Sequence, residues 1–140
     1  MTHFQTSREI PASIEEVFAA MSHPERLAKW WGPAGFTNTF NLCEFKPNGR
    51  WTFTMHGPDG TNYPNEALFS EIEAPEKVVI LHTCEPKFSL TIELRSTAAG
   101  TIVSWTQVLE NPELARQLES IIVPANEQNL DRWTAEVLQK

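Results

Sequence analysis

The chain has 140 residues, with 11 Lys and Arg against 18 Asp and Glu, a formal charge of −7 at pH 7. Its 41% hydrophobic and 21% charged residues suit one domain with its own core, read here over residues 1–140, and exclude wholesale disorder. So acidic a chain is a poor holder of a phosphate backbone, and no run of about 18 apolar residues is present to span a membrane, so neither nucleic acid nor membrane is an expected partner.

Residues 3–10 alternate loosely and stop at Pro11, the pattern of a first strand. Ser13 has the position of a helix N-cap, with Glu15 and Glu16 in the first turn, where carboxylates meet the positive end of the helix dipole. Ile14, Val17, Phe18 and Met21 follow at helical spacing. Pro24 opens a second short helix at a position where its missing N–H costs nothing; it runs to Trp30-Trp31 and ends at Gly32-Pro33. From Gly35 to about Leu109 the pattern is that of about six strands. Trp51, Phe53 and Met55 alternate with polar neighbours, as do Phe88, Leu90, Ile92 and Leu94, so each strand has one buried and one wet face. Pro47-Asn48-Gly49, Pro58-Asp59-Gly60, Ala74-Pro75-Glu76 and Ala98-Ala99-Gly100 mark turns. Val78-Val79-Ile80-Leu81 is apolar throughout, which suits a central strand. Asn111 and Pro112 then open a long helix running nearly to Lys140, with an apolar stripe of Leu114, Leu118, Ile121, Ile122, Ala125, Leu130, Trp133 and Val137. Pro124 inside it removes a hydrogen bond and predicts a kink.

Segregated strands and helices indicate an α+β domain: a curved antiparallel sheet of six to seven strands, covered by the last helix, with two short helices after strand one. Such a sheet leaves room beneath the helix, where small ligands sit.

Several strings occur in a telling order: Trp30-Trp31-Gly32-Pro33, Pro47-Asn48-Gly49-Arg50-Trp51, Met55-His56-Gly57-Pro58-Asp59-Gly60, Glu71 to Val79, Gly100-Thr101 and Asn126 to Arg132. Together they resemble the START-like (SRPBCC) superfamily, in particular its branch of bacterial proteins related to the C-terminal domain of the activator of the heat-shock-protein-ninety ATPase. The resemblance implies a helix-grip fold, a seven-stranded sheet wrapped on the long helix with a cavity between. It also implies a range of roles, from lipid carriers, cyclases and hormone receptors to co-chaperones of the stress response. Two departures stand out. Many relatives carry Gly-Gly where this chain has Asn48-Gly49, and many carry Gly-Trp in the last helix where it has Ala125-Asn126. Losing a Trp there should enlarge the cavity or make it more polar.

The aromatics Trp31, Trp51, Phe53, Phe69, Phe88 and Trp105, with Met55 and Ile122, either wall this cavity or fill the core, since alternation does not tell a lined pocket from a packed one. Trp30 and Trp31 fall where the resemblance puts the cavity mouth, a place for a gate. Gln107 shares the inward parity of Trp105, and Asn126 lies one turn past Ile122; a buried amide needs a partner, either a ligand or a core network. His82, on the apolar strand with Ile80 and Cys84, is either a general acid–base or a hydrogen-bonded core residue. His56 and the Glu93 and Arg95 pair face water, and His3 and His23 have no constellation around them. His82 and Cys84 lack the further ligands of a metal site, no nucleophile motif or phosphate loop occurs, and Cys43 and Cys84 are expected as free thiols in a cytoplasmic protein. The reading is a binder of an apolar, aromatic or lipid-like small molecule, with no metal or cofactor. Its alternatives are a cyclase, dehydratase or hydrolase built on His82, or, from the resemblance alone, a regulator of a chaperone ATPase. It would be a monomer, or a homodimer paired through the edge strand at 3–10.

Overall fold

In the computed structural model, which describes residues 2–139, the chain runs β1 (His3–Ile10), α1 (Ile14–Ser22), α2 (Pro24–Trp30), β2 (Thr37–Cys43), β3 (Gly49–His56), β4 (Asn62–Glu73), β5 (Lys77–His82), β6 (Phe88–Ser96), β7 (Thr101–Leu109) and α3 (Pro112–Leu138). Met1 and Lys140, the ends of the domain read at 1–140, lie outside the described residues. All seven strands pair antiparallel in one sheet, in the order β1-β7-β6-β5-β4-β3-β2. This is the helix-grip α+β arrangement, with α3 laid across the inner face.

Register turns the alternation into inward rows. Val78, Ile92 and Trp105 stand side by side across β5, β6 and β7, and Ile80, Leu90 and Gln107 form the next row. Ala67, His82 and Phe88 form a third, across β4, β5 and β6. Two bulges reset the parity. Asn41 is the extra residue between Phe40 and Leu42, and Ser70 that between Phe69 and Glu71. The second sends Ile72 inward opposite Val78 and turns Glu71 outward, where it meets Lys77 at 3.1 Å. β5 is the middle strand, but its outer face is open: Val79 is half-buried and Leu81 exposed. Being apolar on both faces therefore does not mean being buried on both.

Helix caps form as the sequence indicates. Ser13 and Glu16 make a reciprocal capping box on α1, and the Asn111 side chain accepts from the N–H groups of Glu113 and Leu114 at the start of α3. The helix continues through Pro124 to Leu138. Its buried face departs from the apolar stripe. Ala115, Asn126, Asn129, Leu130, Trp133, Glu136 and Val137 are buried, whereas Ile121 is 63% exposed and Leu114, Leu118 and Ile122 are half-covered.

The helices are joined by tryptophan. Trp30 of α2 stacks on Trp133 of α3, ring centroids 4.6 Å apart and 9° from parallel. Each indole N–H donates to a carbonyl of α1, Trp30 to Ala20 at 2.9 Å and Trp133 to Val17 at 3.1 Å. Trp30 is thus a core anchor with both its apolar body and its polar edge committed, which corrects the expectation of a gate there. Arg26 of α2 adds an ion pair with the buried Glu136 of α3, 2.9 Å from Nε to Oε2.

The turn before β3 carries a sharp steric constraint. Asn48 sits at φ 64°, a left-handed conformation that Asn tolerates. Gly49 has no such excuse for change: a Cβ there would lie 1.8 Å from the Glu44 carbonyl oxygen, whereas one on Gly60 would meet nothing within 4 Å. Gly49→Ala is therefore expected to destabilise by ~3 kcal/mol or more, and Gly60→Ala by only ~1 kcal/mol from its positive φ. Urea midpoints of the two variants check this; equal losses would contradict it.

Candidate functional site

Between the sheet and the middle of α3 lies a recess of about 220 Å³. Trp31, which caps the C-terminus of α2, forms one wall together with Phe53 and Met55 of β3. His82 ends β5 and Phe88 begins β6; their rings stack at 4.5 Å and 11° to form another. Trp105 and Gln107 of β7 line the floor, and Ile122 and Asn126 of α3 the roof. Sequence reasoning missed Asn65, Pro86, Leu90, Ile121, Ala125 and Asn129 as lining residues; Gly32 and Pro33, next to the expected mouth, also line it. Trp51 and Phe69 are corrected: both are fully buried outside the recess, where they stack on each other at 5.2 Å and 13°. They share the inward parity of the lining residues but sit deeper along the sheet, packed against Phe40 and Phe45.

Among the described residues no Asp, Glu, Lys or Arg lines the recess. Its polar groups are few. Asn126 Nδ2 donates to Gln107 Oε1 at 3.1 Å. Asn129 is committed elsewhere, accepting from the Gly32 N–H at 2.9 Å and donating to the Ala125 carbonyl at 3.0 Å. The indole N–H groups of Trp51 and Trp105 are buried without an oxygen or nitrogen acceptor, enclosed by aromatic neighbours.

His82 is 8% exposed. Its Nδ1 donates to the Pro86 carbonyl at 2.8 Å, and its Nε2 lies 2.6 Å from Asn65 Oδ1. Two oxygen acceptors suit a charged ring, while burial disfavours it; burial dominates and holds the His82 pKa below its ordinary value. A neutral ring is accommodated by turning the Asn65 amide so that its NH2 faces Nε2, at the expense of the 2.8 Å bond that this NH2 gives the Tyr63 carbonyl. Cys84 lies beyond the end of β5 rather than on it, with Sγ 3.6 Å from His82 Nε2. Neither cysteine is in a disulfide, and burial pushes the Cys43 thiol up to about 11, so it is no nucleophile. Among the described residues no three His, Cys, Asp or Glu side chains come together to hold a metal.

The recess mouth is strapped shut on one side. Arg132 of α3 donates Nη1 to the carbonyls of Gly32 (2.9 Å) and Pro33 (2.8 Å), and Nη2 to those of Lys29 (3.0 Å) and Phe36 (2.9 Å). Gln128 Oε1 accepts from the Ala34 N–H at 3.0 Å. The segment after α2 therefore hangs from α3 by side chains alone. A signal existed in the sequence: Asn126, Asn129 and Arg132 recur at three-residue spacing, so they share a helix face otherwise read as apolar.

The comparisons with known proteins come to the same fold. The family model described as Activator of Hsp90 ATPase homolog 1-like protein matches residues 11–137. A protein from Arthrobacter aurescens solved by solution NMR is 23% identical over 99% of this chain and 87% of its own, with a TM-score of 0.90. A crystallised protein from Nitrosomonas europaea is 18% identical over 99% and 95%, TM-score 0.88. The AHSA1-like protein from Aeromonas hydrophila is 20% identical over 96% and 91%, TM-score 0.79. No curated protein matches the sequence. Among the described residues no helix is long and apolar enough to cross a membrane.

Two outcomes follow from this geometry. Because the folded chain protonates His82 less readily than the unfolded chain, the unfolded state binds more protons just below pH ~6.5, and this residue's contribution to stability falls as the pH drops through that range. Urea midpoints between pH 7.5 and 5 should decline less steeply for His82→Gln than for the parent; parallel declines would contradict the assignment. Arg132→Lys keeps the charge but loses the planar fork, so the amides of Gly32 and of residues 34–36 should exchange faster with solvent while β6 and β7 stay protected. Hydrogen exchange measures this, and unchanged rates at those amides would contradict it.

Proposed function

The chain belongs to the family of Activator of Hsp90 ATPase homolog 1-like proteins, and from that premise we propose that it binds an apolar or aromatic small molecule in the recess beneath α3. The observation that carries this is the character of the lining: aromatic and aliphatic walls, a few amides and no fixed charge. Apolar walls with a small number of oriented polar groups are what small-molecule sites share. At about 220 Å³ the recess lies below the ~300–1,000 Å³ of sites for drug-sized ligands, which favours a ligand of a few rings over a long-chain lipid. A charged ligand would lose its hydration without meeting a counter-ion. Ile121, largely exposed at the rim, gives the mouth an apolar lip on the helix side.

Binding without chemistry is favoured over an enzyme by the state of His82. Both its ring nitrogens are engaged by groups of the protein, so no free nitrogen faces a ligand, and the thiol beside it, Cys84, is not among the residues lining the recess.

The uncharged dye N-phenyl-1-naphthylamine brightens in apolar surroundings. The native protein should take it up near 1:1. Asn126→Trp, which restores the bulky residue of the relatives at a lining position, should abolish uptake with the thermal midpoint preserved. No uptake by the native protein would overturn the proposal.

A further inference from the structure

The two amides on the recess wall have an unspent hydrogen-bonding capacity. A side-chain amide offers one carbonyl and one NH2. The single bond between Asn126 and Gln107 uses the NH2 of one and the carbonyl of the other. It leaves the Gln107 NH2 and the Asn126 carbonyl wholly unused, with a second N–H on Asn126 and a second lone pair on Gln107 Oε1 besides. Turning both amides end for end exchanges the roles but leaves the same remainder, one donor beside one acceptor. Among the described residues neither side chain makes a second hydrogen bond to the protein, and neither leftover atom is sealed from solvent. Both residues line the recess, among the ring faces of Trp31, Phe53, Phe88 and Trp105.

We infer that the recess recognises a flat, uncharged molecule with a hydrogen-bond donor and acceptor on adjacent atoms of one edge, as in a lactam, and that Gln107 and Asn126 read that edge. The ligand's carbonyl accepts from the free NH2, and its N–H donates to the free carbonyl. The apolar walls hold its faces, while the paired amides set its orientation. A molecule with an acceptor but no donor leaves an amide carbonyl desolvated and facing a second acceptor, the arrangement that buried polar groups avoid. This rests on the small-molecule reading above and narrows it to a ligand class.

Three bicyclic probes separate the two levels. 2-Quinolinone carries the lactam edge, coumarin has an oxygen in place of its N–H at nearly the same size, and naphthalene has neither group. Their affinities are read by displacement of N-phenyl-1-naphthylamine from the native protein. 2-Quinolinone should bind about ten-fold more tightly than coumarin, the worth of about one hydrogen bond. In Gln107→Leu and in Asn126→Leu that ratio should fall toward unity. Equal binding of 2-quinolinone and coumarin to the native protein, with dye uptake intact, overturns the edge-reading proposal and leaves the apolar site standing. A ratio that survives both substitutions overturns the assignment to these two residues. Failure of the dye and all three probes to bind overturns both levels.

Discussion

The stack of Trp30 on Trp133 decides where α3 can lie. The two rings are nearly parallel, and each gives its N–H to a different carbonyl of α1. Burying an indole of roughly 150–250 Å² stabilises by roughly 4–6 kcal/mol before entropic losses. The N–H bonds add direction to that burial, so the three helices are fixed in angle as well as in distance. Trp105 meets both rings edge-on at 6.5 Å and ties the unit to the sheet floor. The second half of α3 is thereby seated, with Leu130, Trp133 and Val137 buried.

The first half is seated more lightly: Ala115 is buried against Phe4 and Leu109, and Leu118 and Ile122 pack at the edge of that small cluster. Between Ile121 and Asn129 the helix passes over the recess, where Ile121 is exposed and Ile122 and Ala125 are half-covered. From Glu127 to Arg132, α3 is also held by polar contacts. Arg8 of β1 bonds Glu127 at 3.0 Å and Asp131 at 2.7 Å, and Arg132 and Gln128 grip the segment after α2. Fixed charges are thus kept on the outside of the span, in reach of water, and amides and aromatics within. The division leaves a recess with no Asp, Glu, Lys or Arg among its described lining residues, in a chain of net charge −7.

Much of this was readable in advance wherever one local period decided it. The alternation of Phe88, Leu90, Ile92 and Leu94, and of Trp105 with Gln107, names the inner face because successive strand side chains point oppositely. It does not say how far along the strand the recess begins, so Trp51 and Phe69 looked identical to Trp105. The bulges at Asn41 and Ser70 have no local signature, yet they decide which residues of β2 and β4 turn inward. On α3 the apolar pattern misled for a tertiary reason. Asn126, Asn129 and Glu136 are buried because Gln107, the Gly32 N–H and Arg26 come to meet them, and those partners lie far away in the chain. Ile121 is apolar and exposed because it overhangs an opening rather than a core.

The proposed binding depends on an apolar space beneath the middle of α3 that is open to a small guest in the free protein. Xenon under pressure tests it most directly, because it enters apolar cavities without needing a particular shape or hydrogen bond. Amide and methyl NMR shifts of the ligand-free protein should respond to xenon saturably around Phe53, Leu90, Trp105 and Ile122, and not around Trp51 and Phe69. Shifts that are absent there, or scattered over the surface without saturation, would contradict it.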